Sequence, residues 1–291
     1  MSIYDVDMLG YSRHEKAVER IRHFCEGKRT LAAFSGGKDS QCCYHLCEEA
    51  GIDFSAQYSV TRFEPPELLD FIREHYPKVT FRRAYSRSLI DEIEYRGVPT
   101  RWARWCCDAK HKKTDGFDVS VIGIRWGESA SRRDTWRMTG FKPDKTFYVC
   151  PIIEWTDEDV WEYLGDLPHC PLYDEGYKRI GCVMCPLVPQ KMAQEAVRWP
   201  KTAAMLRKGA DAYVSRLRNQ GFLTKRGCQV PDWCLSENAE LEHWNRWVFT
   251  GQTAKPIDLV SDSESDLCLF AGTGFDEADG FDENEAELGY L

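Results

Sequence analysis

The run from Thr30 to Ala50 restricts the fold more than any other stretch of this chain. Thr30-Leu-Ala-Ala-Phe34 reads as a short buried strand, Ser35-Gly36-Gly37-Lys38-Asp39-Ser40 as a loop, and Gln41 to Ala50 as a helix closed by Gly51. A buried strand that turns through glycines into a helix is the opening of a parallel α/β unit. The glycines allow a tight turn and let backbone N–H groups approach an anion closely. The helix N-terminus adds partial positive charge and Lys38 a full one, so the segment is built to hold phosphate. It is not the Walker A pattern, because only Gly36-Gly37 precede the lysine.

The flanking pattern extends this unit. Residues 11–28 read as an amphipathic helix with Ala17, Ile21, Phe24 and Cys25 on one face, 54–60 as a second strand, Pro65–Tyr76 as a helix opened by proline, and 79–82 as a third strand. Ser88–Tyr95 reads as a short helix and Phe117–Ile124 as the strongest strand. After Pro151 the pattern turns helical: Thr156 caps Asp157–Leu164 with Asp159 in a capping-box position, 190–221 forms two helices broken near Trp199-Pro200, and 236–249 a further one with Leu241, Trp244 and Val248 as its apolar face. The expected fold is α/β, a parallel sheet with helices on both faces plus a mostly helical C-terminal part. The expected division is 1–190, 191–255 and an acidic tail, 256–291.

That tail explains the charge. The chain of 291 residues has a formal net charge of −9, yet residues 256–291 contain 11 acidic residues and no Lys or Arg. The preceding 255 residues have 38 basic and 36 acidic side chains, a net of +2. The body is therefore near neutral, which permits local nucleic-acid contacts without demanding them, and the tail is expected to be loosely attached. No apolar run approaches the ~20 residues of a membrane helix, and the N-terminus shows no apolar signal core. A cytoplasmic location is expected. There, 13 cysteines suggest metal ligation or apolar burial before disulfides.

Two cysteine pairs stand out, Cys106-Cys107 and Cys182-Val-Met-Cys185. Four thiolates suit zinc or an iron–sulfur cluster. Adjacent cysteines diverge around a single tetrahedral ion, and a larger cluster spans them more easily; the pattern CC…CxxC also resembles the [4Fe–4S] motif of assimilatory adenylyl-sulfate reductases, a resemblance that implies a [4Fe–4S] cluster ahead of zinc or free thiols. Cys25, Cys42, Cys43, Cys47, Cys150, Cys170, Cys228, Cys234 and Cys268 show no ligand spacing and are read as structural. Basic residues gather near the first pair (Arg101, Arg104, Lys110, His111, Lys112, Lys113) and after the strongest strand (Arg125, Arg132, Arg133, Arg137). In parallel sheets ligands bind beyond the carboxyl ends of strands, where Gly123 and Arg125 fall. Arginine suits bidentate phosphate binding. Trp102, Trp105, Trp126 and Trp136 are interleaved, able either to stack a base or to pack the core.

SGGKDS resembles the PP-loop of N-type ATP pyrophosphatases, which cleave ATP between the α and β phosphates and adenylylate an acceptor. The pattern CC…CxxC, together with GIRWGES…RR, PIIEWTDEDVWEYL and PLYDEGY, resembles the phosphoadenosine phosphosulfate (PAPS) reductase family over about residues 15–195. The resemblance implies an adenine nucleotide alpha hydrolase-like fold. It implies that Ser35, Gly36, Gly37, Lys38, Asp39, Ser40, Gly123 and Arg125 bind ATP with Mg2+, with Lys38, Asp39 and Arg125 catalytic. Arg101, Arg104, Lys110, Arg132 and Arg133 would bind the second substrate, and Cys106, Cys107, Cys182 and Cys185 would hold the cluster. Reductases of the family carry a late catalytic cysteine in a Glu-Cys-Gly-[Ile/Leu]-His tail, which is missing here, and have an altered phosphate loop. The expected activity is thus ATP-dependent adenylylation for sulfur transfer, resembling the ATP-using subunits of DNA phosphorothioation systems and sulfur-inserting tRNA enzymes. The expected partners are a sulfur donor such as a cysteine desulfurase, nucleic acid and other subunits of a modification complex. The alternative is a thiol-dependent adenylyl-sulfate or PAPS reductase.

Overall fold

The computed structural model describes residues 2–111, 116–142, 145–224 and 227–253. The 256–291 segment, Lys112, Lys113 and Cys268 lie outside the described residues.

Helix α1 (Arg13–Cys25) starts at a reciprocal cap. Ser12 Oγ accepts from Glu15 N at 3.1 Å while Glu15 accepts from Ser12 N at 2.7 Å. Such a cap is worth about 1 kcal/mol, and it fixes where the buried stripe Ala17, Val18, Ile21 and Cys25 begins. Strand β1 (Thr30–Ala33), α2 (Lys38–Glu49), β2 (Phe54–Val60), α3 (Pro66–His75) and β3 (Val79–Arg83) follow in alternation. Next come α4 (Leu89–Arg96), α5 (Trp105–Lys110), β4 (Val119–Val121), α6 (Ala130–Thr135), β5 (Thr139–Phe141), β6 (Phe147–Val149), α7 (Asp157–Leu164), α8 (Pro189–Arg198) and α9 (Pro200–Gln220). The hairpin β7 (Phe222–Thr224) and β8 (Gly227–Gln229) leads to α10 (Ala239–Thr250).

The main sheet has six strands in the order β3-β2-β1-β4-β6-β5. The β1–β2, β2–β3, β1–β4 and β4–β6 pairs are parallel, and β5 is an antiparallel edge on β6. Parallel neighbours need crossovers, which α2 and α3 supply as the chain steps outward from β1 to β3. It then returns to lay β4 on the other side of β1. The strand order reverses there, and such a switch point leaves a crevice at the carboxyl ends of the two strands.

Three parts of the sheet region differ from the sequence expectation. The Phe117–Ile124 strand pairs only over Val119–Val121, because beyond it Ile122 N bonds Val149 O and the chain leaves the ladder. Strands β5 and β6 and helices α5 and α6 were not anticipated. All four are short, 3–6 residues, and tertiary packing decides such lengths more than local pattern does. Helix α2 begins at Lys38 instead of Gln41, so Lys38, Asp39 and Ser40 form its first turn.

The C-terminal part is helical as expected, with the break at Trp199-Pro200 in place. Helix α9 packs on α4, and Gly209 makes the approach possible: a Cβ there would lie 2.8 Å from Ile93 Cβ. In α10 the buried residues are Ala239, His243, Trp247 and Val248, whereas Leu241 is 49% exposed. Of the expected apolar face, Val248 is buried and Trp244 packs partly buried against the core, and Leu241 alone departs, with the helix anchored by Trp247 Nε1 to Pro99 O at 2.7 Å. Cys25, Cys42, Cys43, Cys47, Cys150, Cys170 and Cys234 are all buried, and Cys228 is exposed. No helix among the described residues is long and apolar enough to cross a membrane.

Candidate nucleotide site and cysteine quartet

The β1–α2 turn is held by its own hydrogen bonds. Ser40 Oγ donates to Gly37 O at 2.8 Å and accepts from Ser35 N at 3.1 Å, and Gln41 Nε2 donates to Gly36 O at 3.0 Å. Gly36 has φ +71°, and a Cβ on it would sit 2.6 Å from Leu68 Cδ1. Only glycine meets both conditions. Lys38 N donates to the Tyr173 hydroxyl at 3.0 Å, so Tyr173 stands at the N-terminus of α2, where a bound oxyanion would lie.

The loop after β4 closes the crevice from the other side. A Cβ on Gly123 would lie 2.7 Å from Asp39 O, a backbone atom that cannot swing away. This contact sets the spacing between the β4 loop and the first turn of α2. Two residues later Arg125 is 4% exposed, and its guanidinium meets Asp39 Oδ1 at 2.5 Å and Asp157 Oδ1 at 2.8 Å. Lys38, 5% exposed, places Nζ 3.0 Å from Asp157 Oδ1 and 3.4 Å from Asp39 Oδ2. Two cations and two carboxylates thus form one closed group at the switch point. Burial works against the Arg125 charge, but Asp39 and Asp157 outweigh it and hold its pKa above the ordinary value. Burial likewise opposes the Asp157 charge, and Lys38 and Arg125 prevail, keeping that carboxyl below its ordinary value.

Asp157 was read from the sequence only as the first residue of a capped helix. Its position follows from α7. Thr156 caps that helix by accepting from Asp159 N at 3.2 Å, and Asp159, buried, receives Arg13 of α1 at 2.5 Å. Cys42 Sγ approaches Val160 O at 3.8 Å where α2 packs on α7. The spacing of Asp157 and Tyr173 from the loop is more than a hundred residues, which no local pattern signals.

Arg132 joins this region through Glu128, which takes Arg132 at 2.6 Å and Arg125 N at 3.1 Å, while Arg133 is exposed on α6. The other expected substrate residues lie elsewhere. Arg101 and Arg104 are exposed on the approach to α5, and Lys110 is 3.9 Å from buried Glu64 with its ammonium over the Tyr58 ring. Among the tryptophans, Trp105 is buried, Trp126 donates to Trp136 O at 2.9 Å, and Trp136 packs on Tyr148; Trp102 is 86% exposed. Three of the four are packing residues.

The fold brings the two cysteine pairs into one neighbourhood. Trp105 is anchored by Nε1 to Gly97 O at 3.2 Å, which places Cys106 and Cys107 in the first turn of α5. The Cys182–Cys185 turn is tied by Val183 N to Phe63 O at 2.6 Å and Met184 N to Glu195 Oε2 at 2.6 Å, with Met184 in the left-handed region at φ +53°. Cys106, Cys182 and Cys185 each feel the charge of others in the set, and Cys107 is tied to it by its hydrogen bond with Cys106. Cys107 is pulled down to about 6 by the hydrogen bond from Cys106 and then by Arg104 and Lys110, against the effect of its burial, and Cys106 is pushed up correspondingly. Burial pushes Cys182 up to about 11 and raises Cys185. The donor chemistry suits a thiolate-bound metal. The present arrangement is not closed, however: no group of three or more His, Cys, Asp or Glu among the described residues is disposed to hold a metal ion.

The sheet order, the glycine-shaped turn and the paired charges at the switch point define an α/β protein with a charged crevice at the carboxyl ends of β1 and β4. Residues 29–188 match the phosphoadenosine phosphosulfate reductase domain, and the chain belongs to that family. It is 29% identical over 194 residues to the uncharacterized protein MJ0973 of Methanocaldococcus jannaschii, covering 58% of this chain and 44% of that one. It is 27% identical over 191 residues to adenosine 5'-phosphosulfate reductase of Shouchella clausii, covering 60% of this chain and 79% of that one. A phosphoadenylyl-sulfate reductase from Candida auris, solved as a phosphate complex, aligns with a TM-score of 0.46 at 15% identity, over 57% of this chain and 88% of that one. The chain spans about half the length of the archaeal relatives it matches.

Proposed function

We propose that the protein is an ATP pyrophosphatase that adenylylates an acceptor oxygen for sulfur transfer, with nucleic acid as the acceptor. The observation that carries this reading is the closed group of Lys38, Asp39, Arg125 and Asp157 around an intact SGGKDS turn. An acceptor oxygen attacks the α-phosphorus of Mg–ATP, the α–β bridging bond breaks, pyrophosphate leaves with that electron pair, and the acceptor's proton passes to solvent. The residues supply position and charge. Backbone N–H groups of the turn and Lys38 face the β and γ phosphates, and Arg125 faces the α phosphate, where negative charge concentrates in the transition state. Asp157, with a side chain 56% exposed, holds both cations in place until phosphate oxygens take over.

Cys106, Cys107, Cys182 and Cys185 would hold a [4Fe–4S] cluster, with zinc as the lesser alternative. When bound, a cluster would supply an electron-rich site for handling sulfur next to the adenylylated acceptor. Of these four, Cys107 lies beside Arg104 and Lys110, whose charges favour its ionised form.

The test is anaerobic purification with iron, zinc and acid-labile sulfide analysis, followed by pyrophosphate release from Mg–ATP with nucleic acid and a sulfur donor present. Colourless protein with one zinc would remove the cluster. Absence of pyrophosphate release under all acceptor conditions would remove the ATP chemistry.

A second reading has its own support, since several relatives are named adenosine 5'-phosphosulfate reductase. It predicts sulfite release from adenosine 5'-phosphosulfate with thioredoxin. The nucleophile would be one of Cys228, Cys234 and Cys268, of which Cys228 is exposed and Cys234 buried.

A further inference from the structure

A cavity of about 330 Å³ opens at the carboxyl ends of β2 and β3, away from the β1/β4 switch point. It is lined by Val60, Arg62, Arg83, Tyr85, Ser86, Arg87 and Ser88, which include three guanidinium groups and no carboxylate. Its size is at the low end of the roughly 300–1,000 Å³ typical of ligand pockets. Around it, Glu64 accepts from Thr61 N and Oγ1 at 3.0 and 2.6 Å, Glu92 pairs with Arg96 at 2.7 Å, and the Arg87 guanidinium lies over the Tyr95 ring. Arg62 adopts φ +62°, a conformation that costs energy for a residue with a side chain. The Thr61–Glu64 bonds hold it there. Tyr85 brings a hydroxyl that is buried without a hydrogen-bond partner.

The cavity adjoins the cysteine quartet. The Tyr85 ring packs on Trp105 with centroids 5.6 Å apart, and the Tyr85 hydroxyl feels the charges of Cys106 and Cys182. The turn that leads to Trp105 is closed by Thr100 N to Ala103 O at 3.1 Å, and it carries Trp102 at its exposed tip between Arg101 and Arg104. An exposed aromatic between arginines, on the turn that leads to the Trp105 packed against Tyr85, offers a base a stacking surface, and the arginine-lined pocket offers a phosphate a charged seat.

We infer that this cavity is a second oxyanion site, separate from the phosphate loop, and that it seats a backbone phosphate of a single-stranded nucleic acid while Trp102 stacks a neighbouring base. This rests on the proposed function only in calling the nucleic acid the acceptor; binding of the strand does not depend on ATP chemistry. Guanidinium groups would contact the phosphate oxygens in the bidentate manner arginine favours, and a ligand oxygen would satisfy the Tyr85 hydroxyl.

The experiment is fluorescence anisotropy of a labelled single-stranded 12-nucleotide probe on the full chain without ATP, at several salt concentrations and with inorganic phosphate as competitor. The double variant Arg83→Gln/Arg87→Gln is expected to bind at least tenfold more weakly, with a salt slope reduced by about 1.4 for two lost phosphate contacts. Trp102→Ala, a change at an exposed side chain, is expected to cost about fivefold or more. Lys38→Ala is expected to bind the probe as the wild type does. Wild-type binding in both the double variant and Trp102→Ala, or no binding of the oligonucleotide to the wild-type chain, would overturn the inference. Intact, variant-sensitive probe binding in a protein that never releases pyrophosphate would sustain it and remove the ATP reading instead.

Discussion

The phosphate loop and the cysteine quartet are both assembled from distant parts of the chain, yet they are finished to different degrees. At the loop, backbone contacts dictate the geometry: Gly36 cannot carry a side chain, Gly123 touches Asp39 O, and Lys38 and Arg125 are buried and fully paired. At the quartet, two anchored turns bring four thiols into one field, but the thiols are not at ligating positions. A site made of main chain and charge can be preformed, because its cations have protein carboxylates to neutralise them. Four thiolates repel one another, so such a set closes only around a cation.

The largest expected effect is at the preformed site. Lys38→Ala should lower pyrophosphate release about 10²–10³-fold, the scale seen when one preorganised charge-stabilising group is removed. Steady-state release measured with saturating Mg–ATP checks it, and a loss below tenfold would mean that Lys38 is merely structural.

Next is Gly123→Ala. Its Cβ would collide with Asp39 O. Overpacking of this kind should cost about 1–3 kcal/mol of stability, visible as a lowered thermal midpoint, and nucleotide affinity should fall with it. An unchanged midpoint would show that the crevice is less rigid than its contacts indicate.

The third prediction sharpens the contrast from the quartet. In metal-free protein Cys107 should be alkylated by iodoacetamide at least tenfold faster than Cys182 at pH 7, because a thiolate is the reacting form. The Cys107 pKa is lowered to about 6 and that of Cys182 raised to about 11. The Cys107 rate should therefore hold as pH falls toward 6 and drop below it. Peptide mapping by mass spectrometry would read this, and equal rates would show the four thiols already engaged.

The smallest effect concerns Asp157. If it holds a place for phosphate, Asp157→Asn should tighten pyrophosphate binding about fivefold, in keeping with about 1 kcal/mol for a half-exposed ion pair. Calorimetry with pyrophosphate alone measures it. Weaker binding would instead make Asp157 part of the phosphate or metal contact.

Much of this was legible locally. The buried helix cysteines, the Thr156 cap and the break at Trp199-Pro200 each depend on residues within one or two turns of one another and appear as read, and the strand–turn–helix at 30–50 is present with its helix starting at Lys38 instead of Gln41. The expected strand through Ile124 ends early, since its pairing depends on β6, a three-residue partner that no local signal marks. On α10, Trp244 and Val248 face the core as read, and Leu241 does not, because the docking of Trp247 on Pro99 sets the helix's rotation.

The amino-acid sequence alone determined the family-defining turn, the paired cysteines and the alternation that yields a parallel sheet, because glycine conformation, helix capping and periodicity act over a few residues. Tertiary structure decided that Asp157 and Tyr173 join the loop and that the arginines divide between two sites. It also decided that a separate pocket at β2 and β3 lies against the thiols. Charges interact through space, and only the strand order brings those residues within reach of one another.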